Sequence, residues 1–310
     1  MLIKKIFVSL VLFLVSINSS IANEIKIVSK VGNEIITNID IENEKKYLLL
    51  LNDNLNKLTK KEFFNLARNS LIREKIKNNE IKRLFPKKND IKFEERLVED
   101  FYKRLGFVNK EDFINFLNNK NLLFGVLKKK LISEGIWNQI IFAKYRNRIK
   151  IDNKDLEEKI KKQYETQTKK YEYKLSEILF EPDKNMSLKI NEIKKYIEEF
   201  GFKIAANKYS KSNTSKFGGE IGWVKSTRLS KLVKKNISQI KIGEITEAIQ
   251  TPNGYLILKL DDSKEVKEKL NLQKELKLQI QFERNRQLNQ FSLNYYKKLR
   301  QNTNIVYENK

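Results

Sequence analysis

The sequence predicts an α+β protein, and two observations carry that prediction. Between residues 171 and 262, three turn clusters stand at the joints between short apolar runs: Phe217-Gly218-Gly219, Gly243-Glu244 and Thr251-Pro252-Asn253-Gly254. That layout suits a small domain of strands and helices. Elsewhere breakers are scarce, with only 3 Pro and 10 Gly in 310 residues, and apolar residues recur at helical spacing. A hydrophobic content of 40% is enough to build a sizeable core and excludes a disordered chain.

The first residues predict the compartment. Lys4 and Lys5 form a positive start, Ile6 to Ile17 is an apolar run broken by Ser9 and Ser16, and Ser20-Ile21-Ala22 supplies the small residues read by a signal peptidase. We expect residues 1–22 to be a signal peptide cleaved after Ala22, because the run falls short of the roughly 20 apolar residues that a membrane span needs. No later stretch is apolar enough to cross a bilayer, so no stable membrane insertion is expected. Cys is absent, which excludes a disulfide framework and a lipid-attachment cysteine.

Lys and Arg number 63 against 39 Asp and Glu, a net charge of +24, which falls to +22 without the two leader lysines. The basic residues are interspersed with acidic ones, the pattern of a solvated surface. No recognition motif for nucleic acid accompanies them, so no nucleic-acid partner is expected. With neither His nor Cys, only carboxylates remain as ionic metal ligands and no closed constellation of them is visible. No metal and no cofactor is expected.

Taken in order, Glu24 to Val31 alternates as a strand, Gly32-Asn33-Glu34 turns it and Ile35-Ile36-Thr37 pairs back. Thr37 or Asn38 can cap a first helix running through Tyr47 to Leu51, with Asp40 and Glu42 at its positive end. A second helix is expected from Lys61 to Phe85, stopped by Pro86. Others cover Phe93 to Leu105, Lys110 to Asn119 and Leu122 to Ile149, with Gly106 and Gly125 as joints. In the central domain Tyr173 to Phe180 is a strand. A helix through Ile190, Ile193 and Ile197 ends at Gly201, and a short helix runs through Tyr209. Ile221 to Val224 is the next strand, Leu229 to Asn236 a helix, and Glu247 to Gln250 with Tyr255 to Leu260 an antiparallel hairpin. A long helix from Ser263 to Gln301 follows, carrying Leu270, Leu276, Ile280, Leu288, Phe291, Tyr295 and Leu299.

Several of these pieces carry a likeness. Tyr209-Ser210, Gly218-Gly219-Glu220-Ile221-Gly222-Trp223, Gly243-Glu244-Ile245-Thr246 and Gly254-Tyr255 stand in the order and spacing of a parvulin rotamase domain. With the leader, the Val31-Gly32-Asn33-Glu34-Ile35-Ile36-Thr37 start and the helices between, the chain resembles the SurA-type periplasmic chaperones. The resemblance implies a parvulin-like domain of four antiparallel strands and helices at 171–262. It also implies a helical chaperone module at 23–165 completed by 263–310, with Asn304 to Tyr307 returning beside the first strand. One such domain fits in this chain.

Rotation about an X-Pro bond faces a barrier of about 18–20 kcal/mol from lost amide resonance. An isomerase lowers it with an apolar pocket for the proline ring and polar groups that favour the twisted amide. Active parvulins supply two sheet histidines, a Cys or Asp after the Tyr-Ser pair, and a Met and Phe in the pocket. Here those positions match Glu177, Leu256 and Ser212, with Leu229 and Val233 at the pocket positions. Leu229, Val233, Trp223 and Tyr255 are the expected substrate-binding residues. The plainest reading of Leu256, which alternates with Leu258 and Leu260, is core.

Two functions follow. One is a periplasmic chaperone that binds unfolded outer-membrane and other exported polypeptides, its parvulin-like domain having weak or no turnover. The other is an active peptidyl-prolyl isomerase that assists the folding of exported proteins. The aromatic stripes of the helices, Phe101, Tyr102, Phe113, Phe116, Phe124, Trp137 and Phe142, read most simply as core packing, and a cradle of such helices could also offer an apolar surface to a client.

Overall fold

The computed structural model describes residues 24–84, 90–166, 171–266 and 271–308. The leader, its cleavage site, Phe85, Pro86 and Leu270 lie outside the described residues. The chain opens with a hairpin, β1 (Ile27–Val31) and β2 (Glu34–Thr37), turned at Gly32-Asn33. Thr37 caps α1 (Asn38–Leu51) through a capping box: its hydroxyl accepts from the backbone N–H of Asp40, whose carboxylate accepts from the N–H of Thr37 at 2.8 Å. The helices α2 (Lys60–Leu84), α3 (Ile91–Arg104), α4 (Lys110–Asn119) and α5 (Phe124–Tyr145) follow. Gly106 does end α3, but Gly125 is no joint: it sits in the first turn of α5. A further helix, α6 (Asn153–Thr166), lies beyond Ile149-Lys150-Ile151-Asp152, where no pattern had marked one.

The central region is an antiparallel sheet in the order β4-β3-β6-β5, built from β3 (Tyr171–Phe180), β4 (Glu220–Lys225), β5 (Ile249–Thr251) and β6 (Gly254–Glu265). Between β3 and β4 come α7 (Met186–Phe200) and α8 (Phe202–Tyr209), and α9 (Lys231–Ile237) precedes β5. The mixed helical and sheet architecture predicted from the sequence is therefore the one observed. Both faces of the sheet are covered. Ile178, Phe180 and Ile257 pack with α7 and α8, while Tyr173, Leu175, Leu258 and Leu260 pack with Val224 and Ile237 on the other side. Strand alternation produces this split, since neighbouring residues of β3 and β6 point to opposite faces.

The last helix, α10 (Leu272–Gln301), begins nine residues later than its apolar pattern suggested. Asp261 to Glu265 instead continue β6, because the ten-residue β3 pairs along its whole length, out to Tyr171 opposite Glu265. Asn271 then caps α10, its side chain accepting from the N–H of Lys274 at 3.0 Å. The helix packs against α5, α6 and α2, and β7 (Ile305–Tyr307) pairs with β1 to complete a β2-β1-β7 sheet. Trp137 is the hub of the α5–α10 contact: it stacks on Tyr295 at 5.7 Å and donates its indole N–H to Ser292 at 2.8 Å.

This packing corrects part of the cradle expectation. Phe101, Tyr102, Phe113 and Trp137 are core residues, and Phe116 and Phe124 are half-buried against them. The rings satisfy one another, with Phe107 centred 5.4 Å from Phe113 and 5.1 Å from Phe116. Only Phe142 of the set is exposed; Val108, Leu123 and Val126 are exposed apolar residues that the pattern did not single out.

Candidate functional site

Two strand-edge contacts shape the candidate cleft. The Tyr209-Ser210-Lys211-Ser212 stretch lies along the end of β3: Lys211 donates its N–H to the Leu179 carbonyl at 2.7 Å, and the buried Ser210 hydroxyl accepts the Leu179 N–H at 3.1 Å. This is the physical role of the serine of the Tyr-Ser pair, while Tyr209 donates its hydroxyl to Glu192 at 2.8 Å. A short 3-10 turn, Asn213–Phe217, ends at Gly218 in the left-handed region, and Gly219 follows with φ +83°. Gly219 lies so close to β3 that a Cβ there would stand 2.3 Å from the Glu177 carbonyl oxygen. Only glycine combines that approach with that φ.

The turn brings two hydroxyls onto Glu177. Its Oε1 accepts from Ser212 Oγ at 2.6 Å and from Thr214 Oγ1 at 2.9 Å, and the two hydroxyl oxygens are 3.1 Å apart. The structure thus brings Ser212 and Glu177, two of the matched positions, together. Thr214 was missed by the sequence reading, and its one signal was its position two residues beyond Ser212. Leu256 pairs with Leu179 on the strand face that Glu177 and Leu258 share, and it is half-buried against Leu258, Leu260 and their neighbours.

Leu229 and Val233 pack beside the same face, together with Ile240 and Leu256. Leu229 is in extended backbone ahead of α9 and not in the helix, which starts at Lys231 because Ser230 caps it through the Val233 N–H at 3.2 Å. The structure does not gather the other two expected binding residues here. Tyr255 turns to the α7–α8 side, where it stacks on Phe180 at 6.0 Å. Trp223 precedes the buried Val224 on β4 and so faces away from it, 41% exposed, with the Lys264 ammonium 4.3 Å from its ring centre. Alternation along a strand explains both: Tyr255 and Leu256, like Trp223 and Val224, are neighbours and cannot share a face.

Chemically, the cluster is a carboxylate that takes up the hydrogens of two hydroxyls, beside a leucine with nothing to donate. Both hydroxyl protons are committed to Glu177, so neither is free to polarise a twisted amide without breaking a charge-assisted bond. The apolar side of the cleft, Leu229, Val233 and Leu256, can contact an aliphatic ring.

Residues 178–262 match the family described as "Rotamase: PPIC-type PPIASE domain". The chain is 41% identical over 66 residues to Chaperone SurA of Pseudomonas putida, a match covering 21% of this chain and 15% of that protein. It is 28% identical over 217 residues to Foldase protein PrsA of Staphylococcus aureus, covering 66% of this chain and 62% of the relative. Among solved structures it is similar to a SurA-like chaperone of Campylobacter jejuni, from a study of PEB4 and Cj1289, at 18% identity and a TM-score of 0.39, over 92% of this chain and 99% of that one. The matches therefore span only part of each of these two sequence relatives. With the sheet, the paired glycines and the Tyr-Ser strand contact described, residues 178–262 belong to the PpiC-type rotamase, or parvulin, family, in a chain similar to SurA and PrsA proteins.

Proposed function

We propose that this chain is an exported chaperone that holds unfolded polypeptides, outer-membrane proteins among them, and that its rotamase domain binds proline-containing segments with weak or no turnover. The observation that carries this reading is the Glu177–Ser212–Thr214 cluster beside Leu256. Transition-state groups and ground-state groups need not coincide, so a site can lose donors to the twisted amide and keep its apolar contacts. Each tenfold loss of rate corresponds to about 1.4 kcal/mol of transition-state stabilisation, so on this reading the two or three missing dipoles bring turnover close to background.

The module reading belongs to the same proposal: a helical module of residues 23–165 completed by 263–310, with 171–262 inserted. Its support is the seam between the two ends of the chain, where β7 pairs with β1 and α10 packs on α5. The apolar surface left for a client includes Val108, Leu123 and Val126, 85%, 72% and 45% exposed. Export to the periplasm rests on the leader pattern of residues 1–22, and N-terminal sequencing of the exported protein, expected to start at Asn23, tests it.

A second reading, an active isomerase, is favoured by Leu229 and Val233, which pack beside Leu256 where a proline ring would sit. Two assays on the full chain separate the readings. Suppression of aggregation of an unfolded outer-membrane protein, with barely accelerated isomerisation of a proline test peptide, is the expected pair of results. Robust turnover abolished by Leu229→Ser with Val233→Ser would establish the enzyme reading instead.

A further inference from the structure

A cavity of about 220 Å³ lies where α2, α10 and the segment around the 3-10 turn of the rotamase domain meet, lined by Lys211, Asn213 and Ser215 but not by Glu177, Ser212 or Thr214. Its lining holds six cations, Arg73, Lys77, Lys208, Lys211, Lys216 and Arg300, and no carboxylate. Three of these are answered from just outside. Lys208 pairs with Glu62 at 3.1 Å, and Lys77 and Lys216 share Glu134 at 2.8 and 2.6 Å. Arg73, Lys211 and Arg300 form no ion pair among the described residues. Arg300 is partnered by tyrosine hydroxyls, donating to Tyr296 at 3.3 Å and interacting with Tyr307, and Glu181, the acid nearest in effect to Lys211, is engaged by Lys297 at 3.0 Å.

Six cations around one space, three of them without an ion pair among the described residues, are costly unless something neutralises the excess. Burial of the ammonium end, then repulsion from Arg73, depresses the Lys211 pKa, although the residue as a whole is exposed. Polar donors and acceptors complete the wall, among them Asn207, Asn213 and Ser292. The volume is several times the roughly 30 Å³ share of a water molecule.

We propose that this cavity is a binding site for a small, multiply charged oxyanion of the phosphate class, held chiefly by Arg73, Lys211 and Arg300. Guanidinium forks and an ammonium are the groups that recognise such an anion. Because Arg73 is on α2, Arg300 on α10 and Lys211 on the rotamase domain, the anion ties that domain to the helices on either side of it in sequence. The site does not depend on the chaperone reading.

The test uses the full-length protein at pH 7 with inorganic phosphate against sodium chloride of equal ionic strength. Phosphate should raise Tm saturably by about 5 °C at high occupancy, whereas chloride should not. Lys211→Gln should lose that increment. Without phosphate it should melt no lower than the wild type, since it removes an uncompensated cation. Arg73→Gln should also lose the increment. Lys92→Gln, an exposed position on α3 with the same change of charge, should keep it. Equal shifts in phosphate, acetate and chloride would overturn the site, as would an increment retained in Lys211→Gln or lost in Lys92→Gln. A lower Tm of Lys211→Gln in chloride would also overturn it, by making that lysine a structural partner.

Discussion

Raising the pH from 8 to 10.5 should stabilise the native protein through one side chain, Lys77. Its side chain is 6% exposed, with its ammonium 5.3 Å from the centre of the Trp137 ring. Burial pushes it down from the usual 10.5 to about 8, with Lys216 and Arg73 pushing the same way and Glu134 opposing them. Glu134 is held below the usual carboxylate range: burial opposes its ionisation, but Lys216 and Lys77 together outweigh that. The two partners move differently because the group holds two lysines and one carboxylate, so the carboxylate is doubly compensated and Lys77 is not. Glu134 keeps 36% of its side-chain surface and, with Arg73 and Lys130, lines a small neighbouring cavity. For Lys77 the sign is set by its depressed native value. Below pH 8 both folded and unfolded chains carry its proton, and the burial cost is felt in full. Between about 8 and 10.5 the unfolded chain binds more protons, so stability rises with pH. At about 1.4 kcal/mol per pH unit, that interval amounts to about 3 kcal/mol. Lys211 and Lys234, lowered by burial, and Tyr196 and Tyr209, raised by it, also change stability with pH, so the quantity to measure is the difference in unfolding free energy between wild type and Lys77→Met. Urea unfolding in phosphate-free buffer, followed by Trp fluorescence, supplies it. The wild type should gain about 3 kcal/mol on the variant across the window; a difference that stays flat would refute the buried, charged lysine.

Three other outcomes are expected. Gly219→Ala should cost at least about 2 kcal/mol, because the new Cβ meets the Glu177 carbonyl at 2.3 Å and the backbone is in the left-handed region; an unchanged urea midpoint would show that the strand contact is not rigid. Ser212→Ala removes a 2.6 Å bond to a carboxylate and should cost about 1–2 kcal/mol, read from the same midpoint, with Thr214→Val adding to it less than independently because both hydroxyls serve one oxygen. A fragment of residues 171–265 should fold cooperatively alone but melt below the intact protein. It loses the Asn207–Asn52 bond at 2.6 Å and the Tyr196–Glu62 bond at 2.9 Å, and a fragment with no cooperative transition would contradict an inserted domain.

Much of the fold was legible because local rules agree with it. Thr37 with Asp40 is a capping box, Gly201 ends a helix, and the Gly218-Gly219 and Asn253-Gly254 turns deliver the strands of the central sheet. The boundaries that failed are those decided by a distant partner. The last helix expected from the apolar pattern starts at Ser263, yet β3 offers backbone partners as far as Tyr171 and keeps the chain in strand to Glu265. Likewise an aromatic stripe at helical spacing tells that a face is apolar, not what covers it. Phe113 and Trp137 were covered by Phe107, Tyr295 and their neighbours, and so cannot serve as client surface.

The candidate site divides along the same line. The sequence by itself determined that no histidine could stand in the rotamase cleft, that Glu177, Ser212 and Leu256 occupy the matched positions, and that the scaffold glycines are present. Only the tertiary structure decided that Ser212 and Thr214 spend their hydrogens on Glu177, that Trp223 and Tyr255 turn away from Leu229 and Val233, and that Arg73, Lys211 and Arg300 converge from three parts of the chain on one cavity. Spacing within an element fixes which neighbours share a face. Which faces then meet depends on contacts between residues far apart in the chain, and the local sequence does not specify these.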